Sequence, residues 1–310
     1  MMKAIREVYG EALVELGKVN ENVVVLDADV SSSTRSILFK NSYPDRFFNI
    51  GIAEGNMTGI AAGMAATGKI PFINTFAFLL TLRAADPIRS LIAYNKLNVI
   101  VAGGYGGLSD SFDGASHQAI EDVSIMRSLP NMTVIVTADE VETKKAVMEV
   151  AKHSGPVYLR LSRAEVPAIY DENMKFEIGK GIVLKEGKDV TIIANGYMVT
   201  KAKEAAGVLK IEGIDAEVID MHTVKPIDEE LILKSGKKTG AIVTVEEHNI
   251  VGGLGSAVAE VLSKKMPLPL EMVGINDEFG ESGDYEAILS KYGLDKVAIV
   301  NAVKKVIIRK

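Results

Sequence analysis

Apolar positions in the first half of the chain recur in two alternating patterns. Ile5, Val8, Tyr9, Ala12, Leu13 and Leu16 repeat every three to four residues, which predicts an opening helix with one buried face. Short runs apolar on both faces come next: VVVL (23–26), PFINT (71–75), NVIVA (98–102), MTVIVTA (132–138) and PVYLRL (156–161). Between them lie a small-residue helix from Glu54 to Ala66 and helices predicted through 83–94 and 139–152. Two-sided strands separated by helices predict a mostly parallel sheet covered on both faces. A polar, proline-containing stretch near 165–176 reads as a linker. The rhythm restarts with DVTIIA (189–194), a helix at 197–211, AEVID (216–220) and AIVTV (241–245). A glycine-led helix at 252–264, LEMVGI (270–275) and two closing helices complete it. The pattern therefore predicts an α/β chain of two domains, 1–166 and a smaller 177–310, joined by 167–176.

Composition narrows the class. At 310 residues the chain is long enough for two cores. Charges of both signs are interspersed and the net charge is −6, so no basic field awaits nucleic acid or anionic lipid. No apolar run approaches the ~20 residues that span a bilayer, and the N-terminus lacks an apolar signal core. A cytoplasmic protein is expected. The absence of cysteine excludes disulfides and thiolate metal sites. His117, His153, His222 and His248 show no ligand spacing on one element, so no metal is expected on this chain.

Some motifs lose on inspection. VVVLDADVS (23–31) resembles the opening of haloacid dehalogenase-type phosphatases, but Ser31 stands where Thr or Val is needed and no later acidic pair occurs. Gly63 to Lys69 has phosphate-loop spacing, yet Ile70 replaces the required hydroxyl residue and the segment ends a helix. Gly252, Gly253 and Gly255 precede a helix and read as a tight turn, with anion binding the lesser alternative. No Gly-x-Ser-x-Gly elbow offers a nucleophile.

Three segments carry candidate chemistry. In RFFNIGIAEGNMTGIAAGMAATG (46–68), Glu54 opens a helix of otherwise small and apolar residues. An acid there complements the helix dipole, but an apolar setting also raises a carboxyl's pKa and favours proton sharing with a ligand nitrogen. Glycines 51, 55, 59, 63 and 68 permit close approach of a flat ligand or another helix. INTFAFLLTLRAADPIR (73–89) brings Phe76 and Phe78 to a strand end, as core or as a platform for a ring. VAGGYGGLSDSFDGASHQAIEDV (101–123) is a long glycine loop with Asp113 and His117 four residues apart, after a parallel strand.

These segments resemble the pyrimidine-binding domain of transketolases. MHTVKPID (221–228), TVEEHNIVGGLGSAV (244–258) and FGESGDYEAILSKYGL (279–294) resemble the family's C-terminal domain, so the resemblance spans nearly the whole chain. The family's Gly-Asp-Gly motif, which holds diphosphate and metal, does not occur. The resemblance thus implies the C-terminal subunit of a split transketolase, with thiamine diphosphate shared with a separate N-terminal, diphosphate-binding subunit. Mg²⁺ or Ca²⁺ would sit on that partner, and two chains of each kind would form a hetero-tetramer built on a dimer of this chain.

The resemblance also implies residue roles. Glu54 would bond the pyrimidine nitrogen and favour the imino tautomer that removes the thiazolium proton, leaving the carbanion chemistry to the cofactor. Phe76 and Phe78 would pack on the pyrimidine, although the family's stacking phenylalanine aligns with Phe78 in one register and Leu79 in another. Asp113 and His117 would contact the hydroxyls of the ketose donor, and Arg6, Ser33 and Arg163 its phosphate. Tyr105 departs from the family, standing where many members carry a phosphate-contacting histidine. A β subunit of a thiamine-dependent 2-oxo acid dehydrogenase and half of a deoxyxylulose phosphate synthase are the alternatives. DGASHQ favours transketolase over the former. A non-catalytic subunit on the same fold would not need Glu54, Asp113 and His117 together.

Overall fold

The computed structural model describes residues 2–310; Met1, where the first domain is drawn to begin, lies outside the described residues. The first sheet has seven strands, in the order Thr223–Lys225, Thr133–Val136, Val157–Leu161, Ile100–Gly104, Ile70–Phe76, Val23–Asp27 and Phe47–Asn49. All neighbours run parallel except the first pair. Every residue of Val23–Asp27, Ile100–Gly104 and Val157–Leu161 is buried, which is why these strands read as apolar on both faces, with Asp27 and Arg160 the charged exceptions. The helix Ile5–Val19 packs Ile5, Tyr9, Ala12, Leu13 and Leu16 into one core, and Glu54–Ala66 packs Met57, Ala61 and Ala62 into the core on the sheet's other face.

The second sheet orders Leu270–Ile275, Ile242–Asn249, Val190–Ala194, Ala216–Asp220 and Ile182–Lys185, parallel apart from the last strand. Thr223–Lys225 comes from the chain's second half yet completes the edge of the first sheet. The 165–176 stretch is not free of structure at its start: Glu165–Val166 pairs antiparallel with Lys3–Ala4. Asp139 then accepts hydrogen bonds from the amides of Ile169 and Tyr170, at 2.7 and 2.8 Å.

Several expectations are corrected. The helix predicted through 83–94 is instead Ala77–Arg83, a turn at Ala85–Pro87 and a π-turn at Ile88–Ala93. Pro87 has no amide hydrogen to donate back to Arg83, so the first helix stops before it. Phe78 therefore rides on a helix, and only Phe76 ends the strand. The helix Glu229–Thr239 went unread because its buried face is Ile232, Ser235, Gly236 and Thr239, a face too polar for an apolar repeat. Its ends do carry signals: Asp228 caps the Leu231 amide, and Gly240 takes a left-handed φ of 73°. The anion role considered for Gly252–Gly255 fails, because Glu246 already takes the amides of Leu254 and Gly255 at 2.7 and 2.8 Å.

Candidate functional site

In a parallel sheet the segments that leave the strands' carboxyl ends gather along one edge. Ser33 comes just after Val23–Asp27, Phe76 closes Ile70–Phe76, Tyr105 comes after Ile100–Gly104, and Arg163 after Val157–Leu161. Arg6 is the second residue of the helix Ile5–Val19, which precedes the strand Val23–Asp27. It reaches the same edge because Lys3 and Ala4 pair with Val166 and Glu165, and the Ile5 amide donates to the Ala164 carbonyl at 3.4 Å.

Tyr105 lies at the centre, with a left-handed φ of 63°. Arg6 donates from Nη1 to the Tyr105 hydroxyl and, at 3.3 Å, to the Ser33 carbonyl. The guanidinium carbons of Arg6 and Arg163 each lie 5.4 Å from the Tyr105 ring centroid, and the Phe76 ring lies 4.7 Å from it. His117 sits 5.8 Å from the Phe76 ring and 5.5 Å edge-on from Phe78. The fold thus gathers Arg6, Ser33, Phe76, Phe78, His117 and Arg163, and Tyr105, read in sequence only as a departure, joins them.

Asp110 is a further member that sequence reasoning missed. Its carboxylate is fully buried and accepts from Arg163 Nη1 at 2.9 Å. Burial first, and then the nearby charge of Asp113, push the Asp110 carboxyl up against the pull of Arg163 and His117. Asp113 itself is exposed at the rim, at the start of the turn Gly114–Ser116. Among the described residues, Arg6 Nε and Asp110 Oδ2 are buried without a hydrogen-bond partner. The available signal was the spacing in SDSFDG, which sets Asp110 three residues before Asp113.

Glu54 occupies the same edge but has its own neighbour. It opens the helix Glu54–Ala66, is 4% exposed, and pairs with Arg83 Nη1 at 3.4 Å. The wholly apolar setting expected for it is corrected by this arginine. Arg83 ends the helix Ala77–Arg83, near whose start Phe78 touches His117. One short helix therefore links the carboxylate to the aromatic and histidine cluster. Among the described residues no group of three or more His, Asp or Glu is placed to hold a metal ion, and no helix is long and apolar enough to cross a membrane.

The family models named "Transketolase, pyrimidine binding domain" and "Transketolase, C-terminal domain" match residues 1–168 and 179–299. A Methanocaldococcus jannaschii protein named after a transketolase C-terminal section is 49% identical over 304 residues, covering 97% of this chain and 95% of that one. A Clostridium protein named as a 6-deoxy-6-sulfo-D-fructose transketolase subunit is 43% identical over 306 residues, covering 99% and 95%. A solved structure described as a split gene transketolase, inactive beta4 tetramer, superimposes with a TM-score of 0.90 at 52% identity, over 98% of both chains. The chain belongs to the transketolase family, with the family's pyrimidine-binding domain preceding its C-terminal domain.

Proposed function

We propose that this chain is the C-terminal subunit of a two-chain transketolase, a transferase that moves a two-carbon ketol unit from a ketose phosphate to an aldose phosphate. The observation that carries this reading is the convergence on Tyr105 of Arg6, Arg163, Phe76 and, through Phe76, His117, with Glu54 opening a helix at the same sheet edge. Thiamine diphosphate, when bound, supplies the stabilised carbanion that carries the two-carbon unit. The residues present fit its pyrimidine end: Glu54 is a buried carboxylate and Phe78 a half-buried ring, joined by the helix Ala77–Arg83. Glu54 would accept a hydrogen bond from the pyrimidine, with Arg83 Nη1 at 3.4 Å helping to aim the carboxylate. Phe76 and Phe78 would exclude water from the ring. Asp113 and His117 would orient the donor hydroxyls.

Arg6 and Arg163 each bring a guanidinium group to 5.4 Å from the Tyr105 ring centroid, a pair suited to an anionic sugar end. Phosphate is the end group assigned. The Clostridium relative's name points to a sulfonate, which the same pair would also accept. The diphosphate and its Mg²⁺ or Ca²⁺ would belong to a separate N-terminal subunit, since the Gly-Asp-Gly motif is absent from this sequence. Two chains of each kind, closed by a two-fold axis, make the expected assembly. An open face supports it: a side chain at Gly55 or Gly63 would meet nothing within 4 Å, and Ile52 and Leu82 are exposed beside this helix. The test is steady-state transfer by the two subunits mixed, with xylulose 5-phosphate and a sulfonate-ended ketose as rival donors. Turnover with neither would remove the reading.

A further inference from the structure

The loop carrying Asp110, Asp113 and His117 is held from both domains. It closes on itself at its base, where the Gly107 amide donates to the Ala119 carbonyl at 2.8 Å and the Ala119 amide returns to Gly107 at 3.1 Å. Beyond that base, the first domain holds it through Arg163, which donates from its amide to the Ser109 hydroxyl at 3.1 Å and from Nη1 to Asp110 at 2.9 Å, and the second half supplies further bonds. The Leu108 amide donates to Glu247 Oε1 at 2.6 Å. The Gly283 amide donates to the Ser111 carbonyl at 2.9 Å, Gln118 Nε2 donates to the Glu281 carbonyl at 3.0 Å, and the Asn249 amide donates to the Ile120 carbonyl at 2.8 Å.

Among the described residues, Glu247 is the one side chain from the second sheet's strands that reaches this loop by a hydrogen bond. It sits on Ile242–Asn249, is 4% exposed, and its other oxygen accepts from the Tyr285 hydroxyl at 2.9 Å. Gly107 makes room for it: with φ +68°, an added Cβ would lie 2.5 Å from the Glu247 carboxyl carbon. Arg160 locks the same junction from the first sheet. It grips Asp122 with Nε at 2.7 Å and Nη2 at 3.0 Å, and Nη2 also reaches the carbonyls of Ala119 and Glu247 at 2.8 and 3.1 Å. A buried carboxylate with both oxygens bonded, facing a glycine cut away to admit it, is a built contact and not a chance touch.

We infer that Glu247 is a positioning residue for the donor loop: the C-terminal domain sets the loop's geometry through it, although this domain contributes none of the proposed donor contacts. The inference rests on the proposed role of Asp113 and His117 in binding the donor. Loop residues need rigid support to act on a substrate, and here part of that support comes from the other domain. A glutamine preserves the arrangement, since its oxygen accepts from Leu108 and its NH₂ donates to Tyr285. Alanine leaves the Leu108 amide buried without an acceptor.

The experiment combines two readouts. Amide hydrogen exchange on the full chain should show faster exchange over 105–120 in Glu247→Ala, with Glu247→Gln matching the parent. In the enzyme reconstituted with its diphosphate-binding subunit and cofactor, Glu247→Ala should raise the donor KM about tenfold with a smaller loss in kcat, and Glu247→Gln should restore it. If Glu247→Ala does not fold, Tyr285→Phe, which strips one bond from the carboxylate, should give the same pattern at smaller size. Unchanged exchange over 105–120 in the folded variants overturns the inference. A loosened loop with unchanged donor constants leaves the clamp standing and removes the donor role of Asp113 and His117.

Discussion

At the scale of single residues, Glu54 and Arg163 make separable predictions. Glu54→Gln keeps the shape and the contact with Arg83 but removes the shared proton, so turnover at saturating cofactor should fall roughly 10²–10⁴-fold with folding intact. Turnover near the parent's would reduce Glu54 to an acid at a helix start. Arg163 tests the anionic end of the donor. Losing one guanidinium should raise the KM for a phosphorylated donor by about ten- to a hundredfold and hardly alter turnover of hydroxypyruvate, which has no phosphate. Because Arg163 also pairs with buried Asp110, damage to both donors in Arg163→Ala would mark a loss through the loop. Asp110→Asn combined with Arg163→Ala separates the two: recovery of hydroxypyruvate turnover in the double variant assigns the damage to the stranded carboxylate.

At the scale of elements, the helix Glu54–Ala66 is a small-residue helix with one face in the core and the other open. Gly59→Leu puts a bulky side chain on the open face, where a Cβ meets only Leu91 Cδ1, at 4.0 Å. Monomer stability should barely change while assembly with the partner subunit weakens, which sedimentation velocity of the mixed subunits would register. Unaltered assembly would place the interface elsewhere. The elements that the sequence disclosed are those whose patterning is local. LEMVGI is the strand Leu270–Ile275, and the periodic face of the first helix is the buried one. What stayed hidden depends on distant partners. Thr223–Lys225 is a strand only because Thr133–Val136 has a free edge, and Ile182–Lys185 only because Ala216–Asp220 does. The site divided in the same way. The motifs singled out Glu54, Asp113, His117 and Arg163 as candidates, whereas Asp110, Arg83 and Glu247 acquire meaning from neighbours 53, 29 and 139 positions away.

At the scale of the molecule, buried acids join the two domains and give stability a definite pH dependence. Asp220, on the second sheet, accepts from the Tyr170 hydroxyl at 2.8 Å and lies beside Glu142 on the helix Glu140–Val150. Burial pushes the Asp220 carboxyl up to about 7 and raises Glu142 with it. The folded chain therefore holds a proton that the unfolded chain has released above its ordinary value of 3.8. That contribution to stability is complete below about pH 4, falls as pH climbs, and is gone above about 7. His222, which burial lowers to about 4, acts in the opposite sense, but equally in parent and variant. Asp220→Asn should thus melt at a temperature that improves relative to the parent between pH 5 and pH 8, by several degrees. A difference that does not change with pH would mean that the pair ionises normally.

The central claim is that the active site is divided between two polypeptides, and calorimetric titration of thiamine diphosphate addresses it most directly. This chain alone should give no binding at micromolar cofactor. An equimolar mixture with the Gly-Asp-Gly subunit should bind one cofactor per pair and transfer two-carbon units. Micromolar binding together with transfer by the isolated chain would contradict a divided site.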